Sequence, residues 1–212
     1  MSAITNSFIS RSRLMASAAV ALGAIALVPA AASASTTWFG SSLDHTPANA
    51  GSTCSEDGVG SPGDLCTHVG SDYPGFSGHA QSKTTGMVVQ LKVRPEGPMT
   101  FTAKVVSVRH VAANFKSGQA EVTARSRLIT VPGPTQSQMA DSVYPVEKFK
   151  VSLKVKKGQE IAIDTTSNTA EYCSDGTPGQ LLFDPILALG HGFSNSAGVD
   201  GCLMLIQAVV KH

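Results

Sequence analysis

The side chains able to carry chemistry in this 212-residue chain are six histidines, four cysteines, fifteen carboxylates and a few aromatic rings. His45, His68, His79, His110, His191 and His212 form no H-x-H and no H-E-x-x-H, the spacings by which one strand or helix offers two imidazoles to one ion. A zinc-protease or copper–zinc dismutase reading therefore has no support. A serine hydrolase needs a G-x-S-x-G elbow at a strand-to-helix turn. Gly75, Phe76, Ser77, Gly78 and His79 lack its closing glycine, and Gly190, His191 and Gly192 read as a flexible turn. No catalytic residue is assigned; a hydrolase without a recognisable motif stays as an alternative.

Cys54, Cys66, Cys173 and Cys202 contain no C-x-x-C pair of the kind that nucleates a zinc site. An even number of cysteines in an exported chain implies two disulfides instead. Three pairings are open, and proximity favours Cys54 with Cys66 and Cys173 with Cys202. Closing either loop contributes about 3 to 4 kcal/mol on the chain-entropy account. Carboxylates cluster near the same cysteines: Glu56, Asp57 and Asp64 by the first pair, Asp175 and Asp200 by the second. Calcium is the one cofactor these suggest, because loop carboxylates and carbonyls make hard-cation sites. Their spacing makes no EF-hand, and solvated turn carboxylates are the competing reading.

Two surfaces could bind a ligand. Trp38, Tyr73, Tyr144 and Tyr172 fall in expected loops or near the start of the exported chain, where rings can stack on sugar faces. Lys148, Lys150, Lys154, Lys156 and Lys157 make a basic face that could attract an acidic polysaccharide or wall polymer. An ordinary solvated sheet face, guarded against edge pairing, would carry the same lysines.

The elements that must position these groups follow an address. Arg11 and Arg13 precede an uncharged apolar run from Leu14 to Pro29, and Ala32, Ser33 and Ala34 close it as an A-x-A-like site. This pattern predicts a signal peptide over residues 1–34 and a secreted, extracellular product with no membrane span after cleavage. Residues 35–82 are Gly- and Ser-rich and hold five acids and no Lys or Arg. Residues 83–163 carry nine lysines and four arginines against five acids, and residues 164–212 carry five acids against Lys211. The net charge of +1 is thus a cancellation of regions. Export, more than net charge, excludes nucleic acid as a partner.

The basic block is also where period-two alternation is legible. Met87, Val89, Leu91 and Val93 alternate with Val88, Gln90, Lys92 and Arg94. Phe101, Ala103 and Val105 alternate with Thr102, Lys104 and Val106, and a third strand is expected over residues 119–131. Phe149, Val151, Leu153 and Val155 alternate with lysines, and a Lys157–Gly158 turn leads to Ile161 and Ile163. Residues 181–189 and 202–210 are apolar runs of strand length; the last lacks alternation, which suggests a covered, central position. No window reads as a capped amphipathic helix. Seven or so short strands between Gly and Pro turns predict a single antiparallel β-sandwich, with a jelly roll as one form of it and its core over residues 83–212.

Residues 151–165, V-S-L-K-V-K-K-G-Q-E-I-A-I-D-T, resemble a turn in jelly-roll domains of secreted bacterial proteins, and the closing C-L-M-L-I-Q-A-V-V strengthens the likeness. The resemblance is to small secreted β-sandwich proteins mostly without assigned function, and it implies the fold alone. The expectation is a non-catalytic binding or structural role at or outside the cell surface. A carbohydrate-binding module is the alternative within that architecture. Oligomeric state is not encoded in any pattern found here.

Overall fold

The computed structural model describes residues 34–48, 64–70, 78–113, 117–167, 170–173 and 179–212. The expected signal peptide, Cys54, Asp57, Tyr73, Ser77 and Asp175 lie outside the described residues. The strands are β1 (Thr36–Ser41), β2 (Cys66–Gly70), β3 (Gly78–His79), β4 (Gly86–Val93), β5 (Met99–Arg109), β6 (Gln119–Val131) and β7 (Glu147–Val155). They continue as β8 (Glu160–Thr165), β9 (Glu171–Cys173), β10 (Gln180–Phe183), β11 (Ser194–Asn195), β12 (Gly198–Asp200), β13 (Cys202–Met204) and β14 (Ile206–Lys211). One sheet runs β3-β1-β14-β4-β7, a second runs β11-β6-β5-β8-β2-β10-β12, and β9 pairs with β13 in a separate ribbon. Every ladder between these strands is antiparallel, so the described residues form the expected all-β sandwich.

The apolar faces of the two sheets meet in one core. Val88 and Leu91 of β4, Phe101 and Val105 of β5, Leu153 of β7, Ile161 and Ile163 of β8, and Ile206 and Val210 of β14 are among its members. Each such side chain contributes about 1.5 to 3 kcal/mol when removed from water. The larger sheet also buries its other face, where Val69, Val106, Val122, Leu181, Phe183 and Leu187 pack together. Its middle strands are therefore covered on both sides, and all six residues of β8 are buried.

The lysine-bearing strand β7 is as its alternation predicts, with Leu153 and Val155 inside and Lys148, Lys150 and Lys154 exposed. Gly158 turns the chain into β8 with φ +86°, a left-handed conformation that glycine adopts without a steric penalty. Of the closing run, Ile206–Lys211 forms β14 between β1 and β4, the expected central place, while Cys202–Met204 forms β13 in the separate ribbon. Three expectations need correction. In β4 the buried residue is Val88, not Met87 or Val89, because a register shift between Val88 and Gln90 changes the phase before Leu91 and Val93. The run from Leu181 is strand only to Phe183. A short helix, α1 (Gln136–Ala140), forms in the polar loop before β7, where Thr135 and Gln138 make a reciprocal capping box. The acidic N-terminal segment also supplies structure, since β1 and β2 sit inside the two sheets. No described helix is long and apolar enough to cross a membrane.

Candidate functional site

Successive residues of β2 point to opposite faces of the larger sheet, and each feeds a buried polar cluster. Thr67 stands opposite Asp164 of β8 and donates to its Oδ1 at 2.6 Å. Lys104, one strand further on β5, pairs with Asp164 and also donates to Thr67 Oγ1 at 3.3 Å and to the Leu187 carbonyl. The Leu187 amide donates to Thr67 Oγ1 at 2.9 Å. Burial pulls the Lys104 ammonium below its usual pKa of 10.5; the hydrogen bond and charge of Asp164 oppose this, and the Arg125 charge adds to it. This cluster holds one cation against one anion, each with further hydrogen bonds.

His68 faces the other way, on the side of Ile163, and meets three groups brought by other strands. Its Nδ1 lies 3.1 Å from Gln180 Oε1, 3.2 Å from Glu171 Oε1 and 3.9 Å from Asp200 Oδ2. Gln180 Nε2 donates to Glu171 Oε1 at 2.9 Å, and His68 Nε2 lies 3.3 Å from Cys66 Sγ. His68, Glu171, Gln180 and Asp200 are each at most 4% exposed. Burial alone would lower the His68 pKa, but the hydrogen bond to Glu171 and its charge, then the Asp200 charge and the Gln180 oxygen, raise it above 6.5. One imidazole thus faces two buried carboxylates, and Glu171 Oε2 has no hydrogen-bond partner among the described residues.

The local backbone explains the convergence. Gln180 on β10 is directly opposite Asp200 on β12 and diagonal to His68 on β2. Glu171 comes from the β9–β13 ribbon, which the Cys173–Cys202 disulfide closes between residues in direct register. Asp200 Oδ1 accepts from the Cys202 amide at 2.9 Å. Gly179 lets β10 pass against this corner, since a Cβ there would stand 1.9 Å from the Cys202 carbonyl oxygen.

Sequence reasoning missed this cluster, apart from Asp200, although a signal existed. His68 follows Cys66 by two, while Glu171 and Asp200 precede Cys173 and Cys202 by two. Within β2 and β9 that spacing puts donor and cysteine on one face, whereas Asp200 ends β12 and a bend at Gly201 separates it from Cys202 of β13. The expected Cys173–Cys202 bond is present, and Cys66 is not a free thiol; its favoured partner Cys54 is outside the described residues. Of the calcium candidates, Asp64 is exposed and Asp200 is in the buried cluster beside an imidazole nitrogen. The aromatic candidates do not converge. Trp38 of β1 packs on His79 with ring centres 4.9 Å apart, Tyr172 of β9 stacks on His45 at 4.3 Å, and Tyr144 lies half-buried between α1 and β7. His191 is exposed, between two glycines of positive φ.

The basic face gains a partner that the sequence did not indicate. Beyond its short pairing with β11, β6 is the edge of its sheet, and β7 is the edge of the other. The two border a groove of about 480 Å³ lined by Arg125, Arg127, Leu128 and Ile129 on one side and Lys150 and Ser152 on the other. A bulge sets Ser126 and Arg127 of β6 against Ala103 alone, and the Ala103 amide donates to Ser126 Oγ at 2.9 Å. Arg125, Arg127, Lys148, Lys150 and Lys154 are exposed, and no ion pair joins any of them to a carboxylate among the described residues. No family model, curated protein or solved structure matches the chain.

Proposed function

We propose that the protein is a non-catalytic binding module that acts outside the cell and takes an anionic polysaccharide or cell-wall polymer along the groove between β6 and β7. The observation that carries this reading is the row of unneutralised cations on two facing sheet edges. A linear polyanion would meet Arg125 and Arg127 from one edge and Lys150, with Lys148 and Lys154 beside it, from the other. Each exposed contact is worth at most about 1 kcal/mol, so affinity would come from their number and fall with salt. The Cys173–Cys202 disulfide supports an oxidising compartment, in keeping with secretion.

The test is elution from immobilised polygalacturonate, with cellulose as the neutral control. The wild-type chain is expected to elute at higher salt from the polyanion and to pass through cellulose. The triple variant Arg125→Glu, Arg127→Glu, Lys150→Glu should lose the retention with its melting temperature unchanged. Equal retention of the variant would overturn the groove as the binding surface.

A further inference from the structure

We propose that His68, Glu171 and Asp200 form a binding site for a divalent transition-metal ion of the zinc type, with Gln180 as a neighbouring oxygen donor. The site shares no residue with the basic groove and does not depend on how that groove functions.

The first argument is charge. With a neutral imidazole, the two carboxylates give the three groups a formal charge of −2 in a buried setting, where ionised groups are costly without a countercharge. A single divalent cation cancels it. The Lys104 cluster on the other face of the same strand needs no such cation, because its charges already match.

The second argument is geometry. Ligands bound at about 2.0 to 2.1 Å on a tetrahedral ion stand about 3.3 to 3.4 Å apart. His68 Nδ1 is 3.2 Å from Glu171 Oε1 and 3.1 Å from Gln180 Oε1, close to that spacing, and 3.9 Å from Asp200 Oδ2, which would have to move inward to bind the same ion. One donor atom from each of His68, Glu171 and Asp200 lies within 4.8 Å of the other two. Glu171 Oε2, on a side chain only 1% exposed, is without a hydrogen-bond partner among the described residues, as expected for a carboxylate that also serves an ion.

The third argument is donor type. Calcium takes six to eight oxygens in an adaptable shell, whereas one imidazole nitrogen with carboxylate oxygens in a closed site suits zinc and its neighbours. The strands are also fixed before any ion arrives. β2, β10 and β12 are hydrogen-bonded in register, and the disulfide holds β9 to β13.

The full chain, stripped with EDTA, is titrated with Zn²⁺ by calorimetry and melted with and without it. One ion per chain and a higher melting temperature are expected. Glu171→Gln and Asp200→Asn keep shape and should each abolish binding while the metal-free melt stays cooperative. Zn²⁺ taken up equally by both folded variants would mean that an exposed histidine such as His79 or His191 holds it, and the proposal would fall. Failure of the wild-type chain to bind Zn²⁺ at micromolar concentration would also overturn it. If the variants do not fold, the ring nitrogens of His68 in the wild-type chain decide. A Zn²⁺-induced shift at Nδ1 supports the site, and an unchanged Nδ1 signal rejects it.

Discussion

Thr67 and His68 are adjacent residues of one strand, yet the clusters they enter obey different accounting. On the Thr67 side, Lys104 and Asp164 are matched in charge, and Thr67 and the Leu187 carbonyl supply additional hydrogen bonds. On the His68 side, Glu171 and Asp200 confront one imidazole, and a carboxylate oxygen is left over. Both sites are buried, so exposure does not distinguish them. Charge balance does: one side pairs a single cation with a single anion, whereas the other sets two carboxylates against one imidazole.

That contrast can be broken most forcefully at the closed pair. Lys104→Met leaves Asp164 buried without its cation and is expected to cost about 3 to 5 kcal/mol in chemical denaturation. Adding Asp164→Leu to it should recover most of the loss; a double variant as unstable as the single one would show that the charge pairing was not what mattered. Replacing Cys173 and Cys202 together by alanine should cost about 3 to 4 kcal/mol, since the bond closes a separation of 29 residues. If the ribbon does hold Glu171 in place, the same change should weaken the His68 cluster and leave the Lys104 pair intact by crystallography. Glu171→Gln in metal-free protein removes an anion from the side in excess, so its cost should stay near 1 kcal/mol, the net worth of the hydrogen bonds involved. A loss as large as that of Lys104→Met would erase the distinction between the two faces.

The smallest effect is in the pH dependence. The depressed Lys104 pKa means that the folded chain binds fewer protons than the unfolded chain in the window below 10.5. Stability contributed by this group therefore rises with pH through that window and levels off above it. The wild-type chain should gain stability relative to Lys104→Met as the pH rises towards 10.5, measured by urea denaturation at each pH. A flat difference would place the ammonium in a better-solvated setting than its burial indicates.

How much of this was legible depends on the strand. β5, β7 and β8 declare themselves because water lies on one face or because apolar residues recur at period two. β7 is the plainest, with a lysine at nearly every outward position. β2 is hidden for the opposite reason. Its five residues, Cys66, Thr67, His68, Val69 and Gly70, are all buried, so polarity does not alternate although the faces do. The phase change at Val88 was equally invisible, because Met87, Val88 and Val89 are all apolar and only the bulge selects one of them. The His68 cluster joins residues as far apart as His68 and Asp200, beyond the reach of any local pattern. What could be read was the cysteine register, two residues from each donor. The groove was half legible: the lysines were plain, but nothing in the sequence brings β6 alongside β7.

Those two edges carry a liability of their own. Beyond the β11 pairing at its start, β6 ends its sheet beside β7, which ends the other, and Leu128 there is 68% exposed. An edge with free backbone groups and an apolar side chain is a template for pairing with a second copy. Here, however, any copy arriving edge to edge brings its own arginines and lysines, so repulsion keeps the chains apart at low ionic strength. Raising the salt shortens the reach of that repulsion from about 10 Å at 0.1 M to about 3 Å at 1 M. The charges that would hold a polyanion therefore also act as the solubility guard of the free protein, and a bound polyanion, by neutralising them, would bring neighbouring copies closer to association.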